Sequence, residues 1–359
     1  MNSVNITKIN SLQGLRFAAF LMIFLWHAGL SETGELGVSI FFMLSGFLMY
    51  YSYSRKDLDT SFKASFKFGI GKIKRLYPLH LVTTLFMSYF AIKALVSEFS
   101  IKALLELIIR YITSLTLTCV WIPQERFYFS VNAVSWYLAT SLVLYMFFPV
   151  ILKHLKKKSD VKSCLLRILG ALIIMGILAL LCAYPDVPLW VSNNFAKWFT
   201  YIFPLYRLFD FYIGCNIGCI FLNLKFNPSF ALASVLEILS VAFMCALFLL
   251  RRFGILFAGN YFMRYNLIFL PASAFIVFIL AYQKGILSKL LSLSFLDKLA
   301  LLSPYAFLIH SVVINFYYEI MIVLLRLQGN VVINTIIPFV ITILLSWGWK
   351  KLSLRGFKK

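Results

Sequence analysis

The chain has 359 residues, of which 62% are hydrophobic and 13% charged, and its mean hydropathy is +0.88. Soluble domains run near half apolar and a quarter charged, so an ordinary soluble enzyme, a disordered chain and a collagen-like fibre are excluded. The formal net charge is +21, but the basic residues fall in the breaks between apolar runs, as the positive-inside rule produces. No nucleic-acid partner is expected, because no basic soluble domain is there to carry one.

Apolar runs long enough to cross about 30 Å of hydrocarbon fall near 13–30, 36–54, 77–96, 131–152, 165–184, 199–222, 229–250, 266–282, 300–324 and 331–348. They predict an all-α polytopic bundle of about ten transmembrane helices, as a single domain over 1–359. The shorter run 103–121 holds Glu106 and Arg110 and reads as a re-entrant or interfacial helix on the outer side. No internal repeat and no cleavable signal peptide is evident.

Three breaks are strongly basic. One is 55–75, with Lys72, Lys74 and Arg75 at its end; another is 153–167; the third is the tail, with Lys350, Lys351, Arg355, Lys358 and Lys359. All three, and both termini, are expected in the cytoplasm. The loop 31–35 carries Glu32 and Glu35 without a basic residue and is expected outside. The same parity leaves Arg251, Arg252 and Arg264 outside, against the rule. Six cysteines (Cys119, Cys164, Cys182, Cys215, Cys219, Cys245) form no C-x-x-C and read as small buried hydrophobes.

Ionisable residues inside apolar spans are the informative ones. Arg16 and His27 stand eleven positions apart in the first span. That is three turns plus about 20°, so both project from one stripe, about 16 Å apart along the axis. Arg16 reads as a snorkelling anchor or as part of a polar track. His27 reads as an imidazole satisfied by a backbone carbonyl or as a general base, since neutral imidazole accepts a hydroxyl proton.

In the second span Ser45-Gly46 permits close helix approach, with Ser45 as a substrate hydrogen-bonder the alternative. The cluster Lys72-Ile73-Lys74-Arg75 before Tyr77-Pro78 suits lipid headgroups or the phosphates of a cytoplasmic cofactor. Trp136 opens a later span. Arg207 and Asp210 stand three apart and can pair on one helix face. Ser303 and His310, seven apart, share a face, and Glu237 and Glu319 are intramembrane carboxylates without an obvious partner.

These segments, in this order, resemble the integral-membrane acyltransferase-3 family, which includes O-antigen, capsule and exopolysaccharide O-acetyltransferases. The most specific element is Arg-x10-His, here Arg16 and His27. Phe41 through Phe47 is similar to F-F-x-L-S-G-F, Arg75 through Pro78 to R-[IL]-Y-P, Arg207 through Gly214 to R-x-x-D-F-x-x-G, and Tyr305 through His310 to the late Y-x-x-Y-L-x-H. The fourth-span motif W-S-L-x-x-E keeps Trp136, Tyr145 and Pro149, but its glutamate position holds Ser141, with Asp210 the nearest substitute by motif.

The resemblance implies a transferase that takes an acyl group, usually acetyl, from cytoplasmic acyl-CoA to a sugar hydroxyl of a lipid-linked or exported glycan. It implies His27 and Arg16 as catalytic, with Arg16 on the cofactor or on the thioester oxyanion. Lys72, Arg75 and Tyr77 would hold the cofactor. Ser45, Trp136, Arg207, Asp210, Tyr305 and His310 would serve the substrate or the structure. Acetyl-CoA is the expected donor and no metal is expected. The expected partners are the lipid bilayer and a glycan or lipid-linked oligosaccharide, and the expected location is multi-pass in the bacterial inner membrane. The alternative is a glycan-lipid flippase or proton-coupled carrier, because Arg, His and Asp inside spans also mark transport pathways. The lack of repeated halves stands against it.

Overall fold

Sixteen α-helices, joined by short turns, account for most of the chain in the computed structural model, which describes residues 7–183, 193–255, 267–327 and 330–356; no strand occurs among them. Arg264, Lys358, Lys359 and the side chain of Arg355 lie outside the described residues. In order the helices are α1 (Asn10–His27), α2 (Gly34–Tyr53), α3 (Phe62–Ile73), α4 (Tyr77–Ser97), α5 (Ile101–Leu115), α6 (Glu125–Tyr128), α7 (Ser135–Lys157) and α8 (Val161–Ala183). They continue with α9 (Asn193–Lys197), α10 (Pro204–Asn223), α11 (Phe230–Arg252), α12 (Leu270–Leu280), α13 (Ile286–Leu291), α14 (Ser294–Ala300), α15 (Ser303–Tyr318) and α16 (Val331–Gly356). Proline opens α4, α10, α12 and α15 in the first turn, where its missing N–H costs no bond. Ser61, Ser100 and Ser229 cap α3, α5 and α11 through their hydroxyls.

Among the described residues eight segments are long and apolar enough to cross a membrane: Gly34–Tyr53, Tyr77–Ser97, Ser135–Lys157, Val161–Cys182, Phe195–Asn223, Phe230–Arg252, Ser303–Leu324 and Val331–Ser353. The protein is therefore a multi-pass membrane protein with an all-α bundle. Two of the ten expected spans fall short by length or composition. One is α1, which carries Arg16 and His27. The other is Leu267–Leu280, whose 14 residues rise only about 21 Å.

The centre is built from α2, α7 and α10, and the periphery includes α8, α11 and α16, whose Leu, Ile and Val rows stay exposed. Helices α2 and α10 touch backbone to backbone. A Cβ on Gly46 would strike the carbonyl of Phe211, and one on Gly214 would strike the carbonyl of Met43. Two of the motif glycines are thus the small residues that let these helices close.

Ion pairs and hydrogen bonds sort the loops onto two faces. Lys8 pairs with Asp297, and Lys156 with Asp57 at 2.8 Å, where it holds the Asp57 carboxyl below the usual carboxylate range. The Asn10 N–H donates to Gln283 at 2.8 Å, Lys284 bonds Asn227, and Lys350 lines a surface hollow with Lys298. Helix α1 therefore begins and α16 ends on one face, here the basic face. On the opposite face Lys197 pairs with Glu125 at 3.1 Å, and the Trp198 indole donates to the Val120 carbonyl at 2.8 Å. Arg251, which the positive-inside rule disfavours there, pairs with Glu35 at 2.9 Å.

The segment 55–75 departs from expectation. Only its start lies at the basic face. Helix α3 climbs along α7, with Gly69 against the Leu142 carbonyl and Met146. It ends where the first turn of α4 meets the first turn of α7, the Ser135 hydroxyl donating to Nδ1 of His80 at 3.0 Å. Lys156 and Ser135 are about 30 Å apart along α7, so Lys72, Lys74 and Arg75 are carried away from the basic face, Lys72 half-buried and Lys74 and Arg75 exposed. The short run after α4 forms α5, which folds back along α4. Its last turn accepts bonds from Nε2 of His80 (Ser114 carbonyl, 3.1 Å) and from the Tyr77 hydroxyl (Leu115 carbonyl, 2.8 Å).

Both supposedly partnerless carboxylates have partners. Glu319 takes Lys93 at 2.5 Å and the Tyr89 hydroxyl at 3.3 Å. Glu237, fully buried, accepts from the N–H groups of Gly285, Leu287 and Ser288 at 2.8–3.1 Å and from the Ser288 hydroxyl at 2.5 Å. It ties α11 to the N-terminus of α13, where backbone N–H groups need an acceptor. Glu237→Gln turns one acceptor end into a donor facing N–H groups. The expected loss is about 1.5–3 kcal/mol of stability, seen as a lower melting temperature of the detergent-solubilised protein. All six cysteines are free thiols; four are buried as expected, whereas Cys245 is exposed and Cys182 half-buried.

Candidate functional site

Two cavities lie in line along α1. The first, about 160 Å³, is walled by Arg16 of α1, Phe41 and Ser45 of α2, Lys72 of α3, Tyr137, Ser141 and Tyr145 of α7, and Phe307 of α15, among others. The second, about 190 Å³, lies toward the opposite face and is walled by Ile23, Trp26, His27, Val38, Phe129, Trp136, Tyr201 and Phe307. The polar track that Arg16 and His27 would share along one stripe therefore runs through two cavities rather than one. Phe307 lines both halves.

Arg16 is half-buried, and its hydrogen bond runs to the Gln13 amide oxygen at 3.3 Å. Among the described residues no carboxylate lies within ion-pair distance of it. A cation inside a bundle without a countercharge marks a ligand or transport path. Lys72 joins it in the same cavity and bonds the Tyr53 hydroxyl at 2.6 Å. Of the other expected cofactor contacts, Arg75 is exposed and Tyr77 spends its hydroxyl on Leu115, so neither lines the cavity. The climb of α3 turns only Lys72 inward.

At the far end His27 and His310 meet. Nδ1 of His27 lies 2.9 Å from the Ile23 carbonyl and 3.3 Å from Nε2 of His310. Nδ1 of His310 lies 3.2 Å from the Ala306 carbonyl. A carbonyl only accepts, so each Nδ1 bears the hydrogen. Nε2 of His310 then accepts from the His27 Nδ1–H, and Nε2 of His27 keeps a free lone pair. The pair sits among Phe20, Phe24 and Phe307 rings at 5.7–6.3 Å from His310. The sequence points to both histidines but gives no sign of their contact, because nothing in the chain order joins α1 to α15. Ser303 plays no part: its hydroxyl donates to the Ala300 carbonyl at 3.0 Å.

The remaining expected residues separate by role. Ser45 lines the Arg16 cavity and Trp136 the His27 cavity. Arg207 and Asp210 are wholly buried and paired at 3.1 Å, with the guanidinium bonding the Ser39 hydroxyl at 3.4 Å and lying over the Phe42 ring at 4.9 Å. They line neither cavity, so Asp210 does not stand in for the missing motif glutamate. Tyr305 is half-buried and lines neither cavity.

Ser141, at that glutamate position, is buried and lines the Arg16 cavity. The lost carboxylate thus belongs to the cationic cavity and not to the histidine pair. Tyr137 and Tyr145 are wall residues not among those expected from the sequence. The spacing Tyr137, Ser141, Tyr145 was the available signal, since residues four apart stack on one helix face.

A family model described as an acyltransferase domain matches residues 9–349. Among curated proteins the chain is similar to the acyltransferase MdmB of Streptomyces mycarofaciens, 26% identical over 168 residues, which cover 42% of this chain. The match spans 41% of the length of that relative. No solved structure matches.

Proposed function

This chain belongs to the acyltransferase-3 family, and on that premise we propose that it moves an acetyl group from cytoplasmic acetyl-CoA to a hydroxyl of a cell-surface or lipid-linked glycan, in a bacterial inner membrane. The basic face is then the cytoplasmic one. One observation carries the reading: a cationic cavity with Arg16 and Lys72 and an imidazole pair stand about 16 Å apart along one helix. The cations suit the phosphates of a CoA donor. At that separation Arg16 anchors the donor and does not reach an oxyanion formed beside His27.

The chemistry assigned to the histidines is general-base transfer. Nε2 of His27 takes the proton of the acceptor hydroxyl. The hydroxyl oxygen bonds the thioester carbonyl carbon, the C–S bond breaks, and the CoA thiolate leaves and is protonated. His310 fixes the His27 tautomer, as an orienting partner does for a catalytic imidazole. Trp26, Phe129, Trp136 and Tyr201 offer flat faces to an acceptor ring. An apolar groove of about 630 Å³ between α4, α15 and α16 offers a bed for a lipid tail.

Membranes containing the protein are given acetyl-CoA labelled in its acetyl group, and glycan is then recovered. Label in the glycan is the expected result. Arg16→Ala raises the apparent KM for acetyl-CoA roughly tenfold or more, as the loss of a charged hydrogen bond of about 1.5–3 kcal/mol requires. Transbilayer movement of unmodified glycan, without label, would establish a carrier instead.

A further inference from the structure

We propose that Phe307 is the partition between donor and acceptor cavities and that it restricts the acyl group to short chains; the second half of this statement rests on the acyltransferase reading above. Among the described residues Phe307 alone appears in the walls of both cavities. Its side chain is buried, 4% exposed, and its ring lies 4.7 Å from Tyr137 and 6.0 Å from Phe41. Tyr137 and Phe41 are themselves in contact at 5.8 Å. These three rings, one each from α15, α7 and α2, close the passage between Arg16 and His27.

Two consequences follow from the packing. A donor held at Arg16 delivers its thioester to His27 only when the Phe307 ring turns aside. The ring also lies 5.7 Å from that of His310, one helical turn farther on, so its rotation is coupled to the histidine pair. The space beyond it is about 190 Å³ and must hold the acceptor hydroxyl as well. A short acyl group fits beside the rings, whereas each further methylene meets Phe307, and a close-packed interior does not yield volume freely.

The test has an arm that does not depend on catalysis. Ala133 lines the His27 cavity and Ser45 the Arg16 cavity. In inside-out vesicles with the native cysteines replaced, a membrane-impermeant thiol reagent is expected to label Ser45→Cys and not Ala133→Cys. Adding Phe307→Ala is expected to bring Ala133→Cys to labelling at least tenfold faster, with Phe307→Leu intermediate. Labelling of Ala133→Cys while Phe307 is intact, or no change on its truncation, overturns the partition.

In the second arm transfer is compared for acetyl-, butyryl- and hexanoyl-CoA. The hexanoyl-to-acetyl rate ratio is expected to rise at least tenfold in Phe307→Ala and less in Phe307→Leu. An unchanged ratio alongside opened labelling overturns the chain-length role. Should the intact protein transfer no acyl group at all, the acyltransferase reading fails while the labelling arm still decides the partition. Size-exclusion profiles of the detergent-solubilised variants identify any that fail to fold.

Discussion

Replacing His27 with Ala is expected to lower acyl transfer by a factor of about 10²–10⁴, the range a positioned general base supplies, while the protein stays in the membrane at its normal level. The structural cost is small. His27 sits in the last turn of α1 against a cavity, so truncation enlarges a void already present. The chemical cost is large, because among the described residues no other imidazole or carboxylate lines that cavity. His310→Leu should act differently. It removes one of the two acceptors of the His27 Nδ1–H and leaves the Ile23 carbonyl, so kcat is expected to fall by a smaller factor while KM for acetyl-CoA is unchanged, the proposed donor contacts lying at Arg16 and Lys72. Acetyl content of the glycan by NMR and initial rates in membranes make the measurement. Wild-type acetyl content with His27→Ala would remove His27 from the mechanism.

The second large effect is structural. Asp210→Ala leaves the wholly buried Arg207 without its carboxylate, in a region where neither water nor lipid headgroups compensate it. Removing one partner of such a pair costs about 3–5 kcal/mol. The expected result is aggregation or a sharply lowered melting temperature in detergent, and little protein in the membrane. Replacing both residues with apolar ones of similar volume, Arg207→Met with Asp210→Leu, is expected to recover most of the folded protein, because no buried charge is then left unpaired. If the double variant folds and transfers acetyl groups, the pair is structural. If it folds but is inactive, Arg207 and Asp210 have a part in the chemistry that their position outside both cavities does not indicate.

Much of this was legible in the chain itself. Apolar length and the absence of alternation fix a helical bundle in lipid, because only helices and closed barrels satisfy the backbone there. The eleven-residue spacing of Arg16 and His27 fixes their common stripe by helix geometry alone. The glycine of L-S-G-F announces close approach, and the Arg207–Asp210 spacing announces an ion pair, since both depend on neighbours within one helix or on side-chain size.

Tertiary structure decided the rest. Contacts between helices distant in sequence have no periodicity to betray them: His27 meets His310 across 283 positions, and Glu237 finds its four donors 48–51 positions away. Of the basic cluster before Tyr77, Lys72 alone turns into a cavity because α3 packs along α7, while Lys74 and Arg75 stay exposed. The placing of Phe307 of α15 against both cavities, beside Tyr137 of α7 and Phe41 of α2, is likewise a property of three helices meeting. Local sequence sets which face of a helix is polar, but which faces converge depends on how the whole bundle fills space.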